Sequence, residues 1–271
     1  MKCFYINLDK EFTRRANIEN NFLDNKIEGW SLNRYPAIGI DYIKENNIKG
    51  IQRDGQKACY LSHKYLIKEN INSQSPIFIL EDDAMFGKNT CKILNDLFAA
   101  INFEWDILFT DVCVPYPEQM IKLIRMRKVL SKKNNIIYLN LSEFIFAGTT
   151  AYIINPKSIK KILNLIDVKS IDIPIDLLLR KLIADKKLKG FVTFPFITTI
   201  SQDSCFSQTQ PNNNFKTDYI WNLFRQMIWL ERNVDNIKLK IKMIDDEMID
   251  ENSKIYSTII SACISEKFTP H

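Results

Sequence analysis

The stretch Ile77-Phe78-Ile79-Leu80-Glu81-Asp82-Asp83 decides how the rest of the chain is read. Four consecutive apolar residues with no polar alternation describe a strand buried on both faces, as in a parallel α/β sheet. Open sheets of that kind keep their ligand sites just beyond the carboxyl ends of their strands, and there the sequence sets three carboxylates side by side. Adjacent carboxylates repel one another and are costly to desolvate unpaired. A divalent cation removes that cost, and Mg²⁺ or Mn²⁺ takes one or two carboxylates plus substrate phosphates. The same residues also fit a solvated acidic turn or a helix N-terminus, where Asp and Glu are favoured.

Upstream, residues 3–8 read as a first strand with Asn7-Leu8-Asp9 as its exit, and residues 11–23 as a helix carrying Arg14 and Arg15. Residues 30–38 read as a second strand, and 56–70 as a helix with Tyr60, Leu61, Tyr65 and Leu66 on its apolar side. Downstream come a helix over 89–101, strands over 106–109, 136–139 and 144–154, a helix over 156–166, a helix opening at Asp176 and a strand at 191–195. Gly148-Thr149-Thr150 interrupts the third of those strands, as a bulge or a close backbone approach does. This alternation predicts an α/β sandwich with a mostly parallel sheet. Residues 198–216 are polar and loop-like, 219–231 are helical and dense in Trp221, Phe224 and Trp229, and 236–243 alternate apolar and Lys as a strand does. The shift in composition near 211 is the expected boundary between a main domain, 1–210, and a mainly helical C-terminal extension, 211–271.

Composition narrows the function. The 271 residues are 46% hydrophobic and 25% charged, ordinary for a globular protein. With 7 glycines and no Gly-rich phosphate loop, a bound nucleotide must be held by metal and side chains. The net charge of +5 does not indicate nucleic acid. Six scattered cysteines form no Cys-x-x-Cys pair, and the histidines are His63 and His271, which argues against structural zinc. With no secretory signal and no apolar run near ~18 residues, the expectation is a cytoplasmic protein with reduced thiols. Lys122, Arg125, Arg127, Lys128, Lys132 and Lys133 alternate with apolar residues. That pattern suits an anionic membrane surface or a solvated helix face.

Taken in order, several segments resemble glycosyltransferase family 25, which contains bacterial lipooligosaccharide galactosyltransferases. They are Phe4-Tyr5-Ile6-Asn7-Leu8-Asp9 with Arg14-Arg15, Arg34-Tyr35-Pro36-Ala37-Ile38-Gly39, and Cys59-Tyr60-Leu61-Ser62-His63, where Ala58 replaces the usual Gly. Ile79-Leu80-Glu81-Asp82-Asp83-Ala84, Trp105-Asp106-Ile107-Leu108, Gly148-Thr149-Thr150-Ala151-Tyr152, Pro174-Ile175-Asp176 and Gln202-Asp203 follow. The resemblance spans roughly 1–208, and Phe109-Thr110-Asp111-Val112 departs from its pattern.

It implies a GT-A-type nucleotide-sugar fold, a UDP-sugar donor with galactose the usual sugar, Mn²⁺ or Mg²⁺, a lipooligosaccharide or other glycan acceptor, and inversion at the anomeric carbon. On that reading Asp83, with Asp82 or Glu81, holds the metal. Asn7, Leu8, Arg14, Arg15, Ser62, His63, Glu81, Asp82, Gly148, Thr149 and Gln202 surround the donor. Asp176 is the first choice for the base that takes the acceptor proton, with Asp111 and Asp203 as rivals. Blander readings stand beside these: Asp176 as a helix cap, His63 as a satisfied structural residue, Arg14 and Arg15 as a helix surface, and Asp106 as either a nucleoside contact or a buried strand residue. The 122–133 and 219–231 segments are expected to make a peripheral contact at the cytoplasmic face of a membrane; the rival reading gives both to the folded core or to an oligomer contact. Two other classes compete. A nucleotidyltransferase needs a triphosphate loop that the sequence lacks, and a non-catalytic carbohydrate-binding protein has no need of the acidic cluster.

Overall fold

The computed structural model describes residues 1–131, 135–201 and 215–239, together with Ile255 and Ile259. In chain order the elements are β1 (Lys2–Asn7), α1 (Phe12–Asn25), β2 (Ser31–Pro36), α2 (Ile40–Glu45), α3 (Asp54–Glu69), β3 (Ile77–Glu81), β4 (Ala84–Phe86) and α4 (Thr90–Ala100). Then come β5 (Ile107–Phe109), α5 (Pro117–Ser131), β6 (Ile137–Asn140), β7 (Ala151–Ile154), α6 (Ile159–Leu165), α7 (Ile175–Ala184), β8 (Gly190–Phe194), β9 (Thr198–Ile200) and α8 (Phe215–Ile228).

Seven strands form one sheet in the order β2-β1-β3-β7-β5-β8-β6. Five run the same way, while β7 and the edge strand β6 oppose their neighbours. This is the mostly parallel α/β sandwich the sequence predicts. As its apolar run requires, β3 is covered on both faces: Ile77 and Ile79 join the core under α3, α5, α6, α7 and α8, while Phe78 and Leu80 join the core under α1 and α4. A second, two-stranded sheet pairs β4 with β9.

Two local expectations are corrected. Within 144–154 only Ala151–Ile154 is a strand; Ala147 makes an isolated bridge to Cys113, and Gly148, at φ +88°, turns the chain before β7 begins. Residues 234–239 are helical, and 240–243 lie outside the described residues. Over 236–239 the alternation falls on a helix, with Ile237 buried and Leu239 62% exposed.

Helix α8 buries Ile220, Leu223, Phe224, Met227 and Ile228 in the core shared with α3, α5 and α7. Arg127, from the basic run, is itself buried. Its guanidinium donates to the carbonyls of Ile228, Trp229 and Leu230 at the C-terminal end of α8, where unpaired carbonyls attract a cation. Lys122 and Arg125 face solvent, and Lys132 and Lys133 lie outside the described residues. Among the described residues no helix is long and apolar enough to cross a membrane.

Candidate active site

The carboxyl ends of β1 and β3 lie side by side in parallel register, Ile6 beside Glu81. They open onto a cleft of about 660 Å³ whose walls include Leu8, Arg14, Gly39, Lys44, Cys59, Ser62, His63, Glu81, Asp82 and Asp83. Ser62 ties α3 to the exit of β2: its hydroxyl donates to the Ala58 carbonyl at 2.8 Å and accepts from the Ile38 N–H at 2.9 Å.

The three carboxylates are held in three ways. Asp82 accepts from Asn7 Nδ2 at 2.8 Å and from Arg14 Nη1 at 2.6 Å. Asn7 is in turn gripped through its Oδ1 by Arg34 at 3.0 Å and by Arg15 at 3.4 Å. Burial nevertheless leaves the Asp82 carboxyl above its ordinary pKa. Glu81 accepts from the Thr149 hydroxyl at 2.7 Å and lies 3.7 Å from His63 Nε2. Burial pushes its pKa up, but His63 and the Thr149 bond outweigh that and hold it below the ordinary value.

Asp83 differs from both. Its backbone carbonyl accepts from the Ser201 N–H at 2.7 Å, but its carboxylate Oδ1 is buried without a hydrogen-bond partner. Burial first, and the Glu81 charge second, raise its pKa to about 7. A buried carboxylate oxygen left unmatched beside a second carboxylate is the environment that a hard cation satisfies, so these residues fit Mg²⁺ or Mn²⁺.

His63 is fully buried on α3, with Nδ1 2.9 Å from the Tyr152 hydroxyl. Its Nε2, on the Glu81 side, has no hydrogen-bond partner. Cys59 Sγ, a His63 ring nitrogen and a Glu81 oxygen lie within 4.8 Å of one another. Burial and the charges of Glu81, Asp176 and Asp83 push the Cys59 thiol well above its ordinary value.

The chain between β6 and β7 joins the acidic cluster to α7. Thr149 bonds Glu81, the Thr150 carbonyl accepts from the Glu81 N–H at 2.8 Å, and the Gly148 N–H donates to Asp176 Oδ2 at 2.9 Å. Asp176, in the first turn of α7, is not on the cleft wall itself, but its charge acts on the Cys59 thiol together with those of Glu81 and Asp83. Asp111 has no exposed side-chain surface; it accepts from Arg225 Nε at 3.0 Å and also from Arg225 Nη2. Asp106 stands at the opposite, amino end of β5, bonded by Ser158, Lys161 and the Lys189 N–H, so it is the buried strand aspartate of the two readings. Gln202 and Asp203 lie outside the described residues.

Sequence reasoning missed Arg225. It is a buried cation whose charge favours the ionised forms of Asp83 and Glu81 while pairing with Asp111. One signal was available: Arg225 falls among Leu223, Phe224, Met227 and Ile228 on a helix whose neighbouring positions are core. An Arg in that place needs a buried partner.

Residues 1–179 match the family model for glycosyltransferase family 25, described as an LPS biosynthesis protein. The match takes in the acidic cluster, His63, the Gly148-Thr149 turn and Asp176. No curated protein matches the chain. Among solved structures the chain is similar to the apo form of mouse xyloside xylosyltransferase 1, at 8% identity and a TM-score of 0.33, over 70% of this chain and 63% of that one.

Proposed function

The chain belongs to glycosyltransferase family 25, and from that premise we propose that it carries galactose from UDP-galactose to a hydroxyl of a lipooligosaccharide or related glycan, with inversion, on a GT-A-type scaffold. The observation that carries this reading is the buried, unpartnered Asp83 Oδ1 beside Glu81 in the cleft at the end of β3. Asp83, with Glu81 or Asp82, would hold Mn²⁺ or Mg²⁺. Bound there, the ion would supply Lewis-acid neutralisation of the charge that develops on the departing diphosphate.

The chain's own groups do the rest. Arg14, fixed by Asp82, and Lys44 offer cationic donors to phosphate oxygens on the wall of the cleft. Thr149 orients Glu81. Asp176, steadied by the Gly148 N–H, takes the proton from the attacking acceptor hydroxyl. A single displacement needs one such base and inverts the anomeric centre, whereas a covalent intermediate would need a second carboxylate at the sugar. Asp203 remains the rival base; Asp111, locked to Arg225, has a structural task. The exposed Lys122 and Arg125 would supply a peripheral contact with anionic lipid at the cytoplasmic face of the membrane.

The test is UDP release from a panel of UDP-sugars with Mn²⁺ present. UDP-galactose should be the best donor, and excess chelator should stop turnover; undiminished turnover in chelator contradicts the metal reading. Asp176→Asn should lower kcat by ~10²–10⁴-fold and leave UDP affinity unchanged. If Asp203→Asn carries that signature instead, the role of base moves to Asp203.

A further inference from the structure

Away from the cleft, a groove of about 910 Å³ runs between the turn before α5, the segment 142–145, α7 and Trp221 of α8. We propose that it is a carbohydrate subsite, holding the sugar units of the acceptor that do not react; the proposal rests on the transferase reading above. Its volume lies toward the upper end of the ~300–1,000 Å³ typical of small-molecule pockets, which gives room for more than one sugar ring.

The lining has the mixed character that a sugar requires. Tyr116, Phe144 and Trp221 offer aromatic surface, while Glu143, Arg180 and Lys181 offer charged hydrogen-bonding groups. Three of the large apolar residues that this protein leaves open to solvent gather here, Tyr116 at 47%, Ile145 at 42% and Ile173 at 38% exposed. Such a concentration marks a binding surface more than a chance exposure. Trp221, which lines the groove, has an indole N–H that is buried without a hydrogen-bond partner. Buried indole N–H groups ordinarily find an acceptor.

A sugar ring meets both demands at once: its C–H faces cover aromatic rings, and its hydroxyls both accept from the indole and bond the charged side chains. An alkyl chain offers no acceptor to the indole and would strip water from Arg180 and Glu143 with nothing in return.

The covalent path from groove to cleft is short. Helix α7 carries Asp176 in its first turn and, one turn on, Arg180 in the groove, with Arg180 Nη1 donating to the Phe146 carbonyl at 3.2 Å. The segment that lines the groove at 142–145 continues directly to Gly148, which holds Asp176, and Thr149, which holds Glu81. A glycan seated along α7 would therefore reach the proposed base at its end.

The experiment measures binding of a lipid-free core oligosaccharide, released from lipooligosaccharide, to the full chain by saturation-transfer NMR. No nucleotide sugar or metal is present, so failure here leaves UDP release untouched, and failure of the transferase reading leaves this measurement standing. Saturable binding is expected. It should weaken about tenfold in Trp221→Ala and in Arg180→Ala, weaken less in Trp221→Phe, which keeps an aromatic ring, and hold its strength in the cleft variant Lys44→Ala. Thermal unfolding of each variant checks that the fold is kept. The proposal is overturned by absence of saturable binding, by binding indifferent to Trp221 and Arg180, by binding that responds to Lys44→Ala alone, or by displacement of the oligosaccharide by monomeric dodecylphosphocholine.

Discussion

Asp83 and Asp106 each place carboxylate oxygen out of reach of water at a strand end of one sheet, Asp83 at the carboxyl end and Asp106 at the amino end. Asp106, at the amino end of β5, is saturated: Ser158 and Lys161 donate at 2.6 and 2.7 Å, and the Lys189 N–H donates at 2.7 Å. Burial pushes its pKa up, but these partners outweigh that and hold it below the ordinary value. Asp83, beyond the carboxyl end of β3, keeps an oxygen with no partner, and its pKa is raised. The first arrangement stabilises a fold. The second costs stability and is retained where a ligand can satisfy it. Asp111 is a third case, wholly buried and paired with Arg225 on α8.

The contrast yields predictions that can break it. The largest effect on folding should come from Arg225→Ala, which strands the Asp111 carboxylate in the core. Removing one partner of a buried ion pair costs ~3–5 kcal/mol, and denaturant unfolding should register a loss of that size. A loss under ~1 kcal/mol, the size found for exposed pairs, would mean that Asp111 is reached by water and is not the sealed residue described here.

A smaller loss is expected from Asp106→Asn, ~1.5–3 kcal/mol for hydrogen bonds to a charged group, with turnover per folded molecule little changed. Its pH dependence follows from the depressed folded pKa. The Asp106 contribution is fully present above the unfolded carboxylate value near ~3.9 and is lost as pH falls through the lower folded value. Wild-type stability should therefore drop more steeply below about pH 4 than that of Asp106→Asn. Parallel curves would show that Asp106 contributes no such term. The smallest effect on folding belongs to Asp83→Asn. Stability without ligands should stay within ~1 kcal/mol of wild type, because burial already opposes that carboxylate's charge.

What was legible in the sequence is what local pattern encodes. The unalternating run from Ile77 to Leu80 announced a strand covered on both faces, and the carboxylates after it stand on the wall of a cleft at the carboxyl end of that strand. Long-range pairing was not legible. Nothing in Ala151–Ile154 says that it enters antiparallel between β3 and β5, yet that insertion brings Thr149 to Glu81 and Gly148 to Asp176. The strands β4 and β9, three residues each, are too short for periodicity to register, and their pairing sets Ser201 against the Asp83 backbone. Arg127 read as one cation in a surface run, because sequence does not show which member of such a run turns inward to a helix end. The Asp111–Arg225 pair joins residues 114 apart, beyond the reach of any spacing rule.

If the unpartnered carboxylate of Asp83 is the one that serves turnover, its loss should be felt there and the loss of Asp106 should not. Mn²⁺-dependent UDP release from UDP-galactose is measured for wild type, Asp83→Asn and Asp106→Asn, each at a temperature where its folded fraction is confirmed. The account predicts a fall on the order of 10²–10³-fold for Asp83→Asn, the size seen when one preorganised electrostatic group is removed, with Asp106→Asn close to wild type. Turnover by Asp83→Asn within a few-fold of wild type would contradict it.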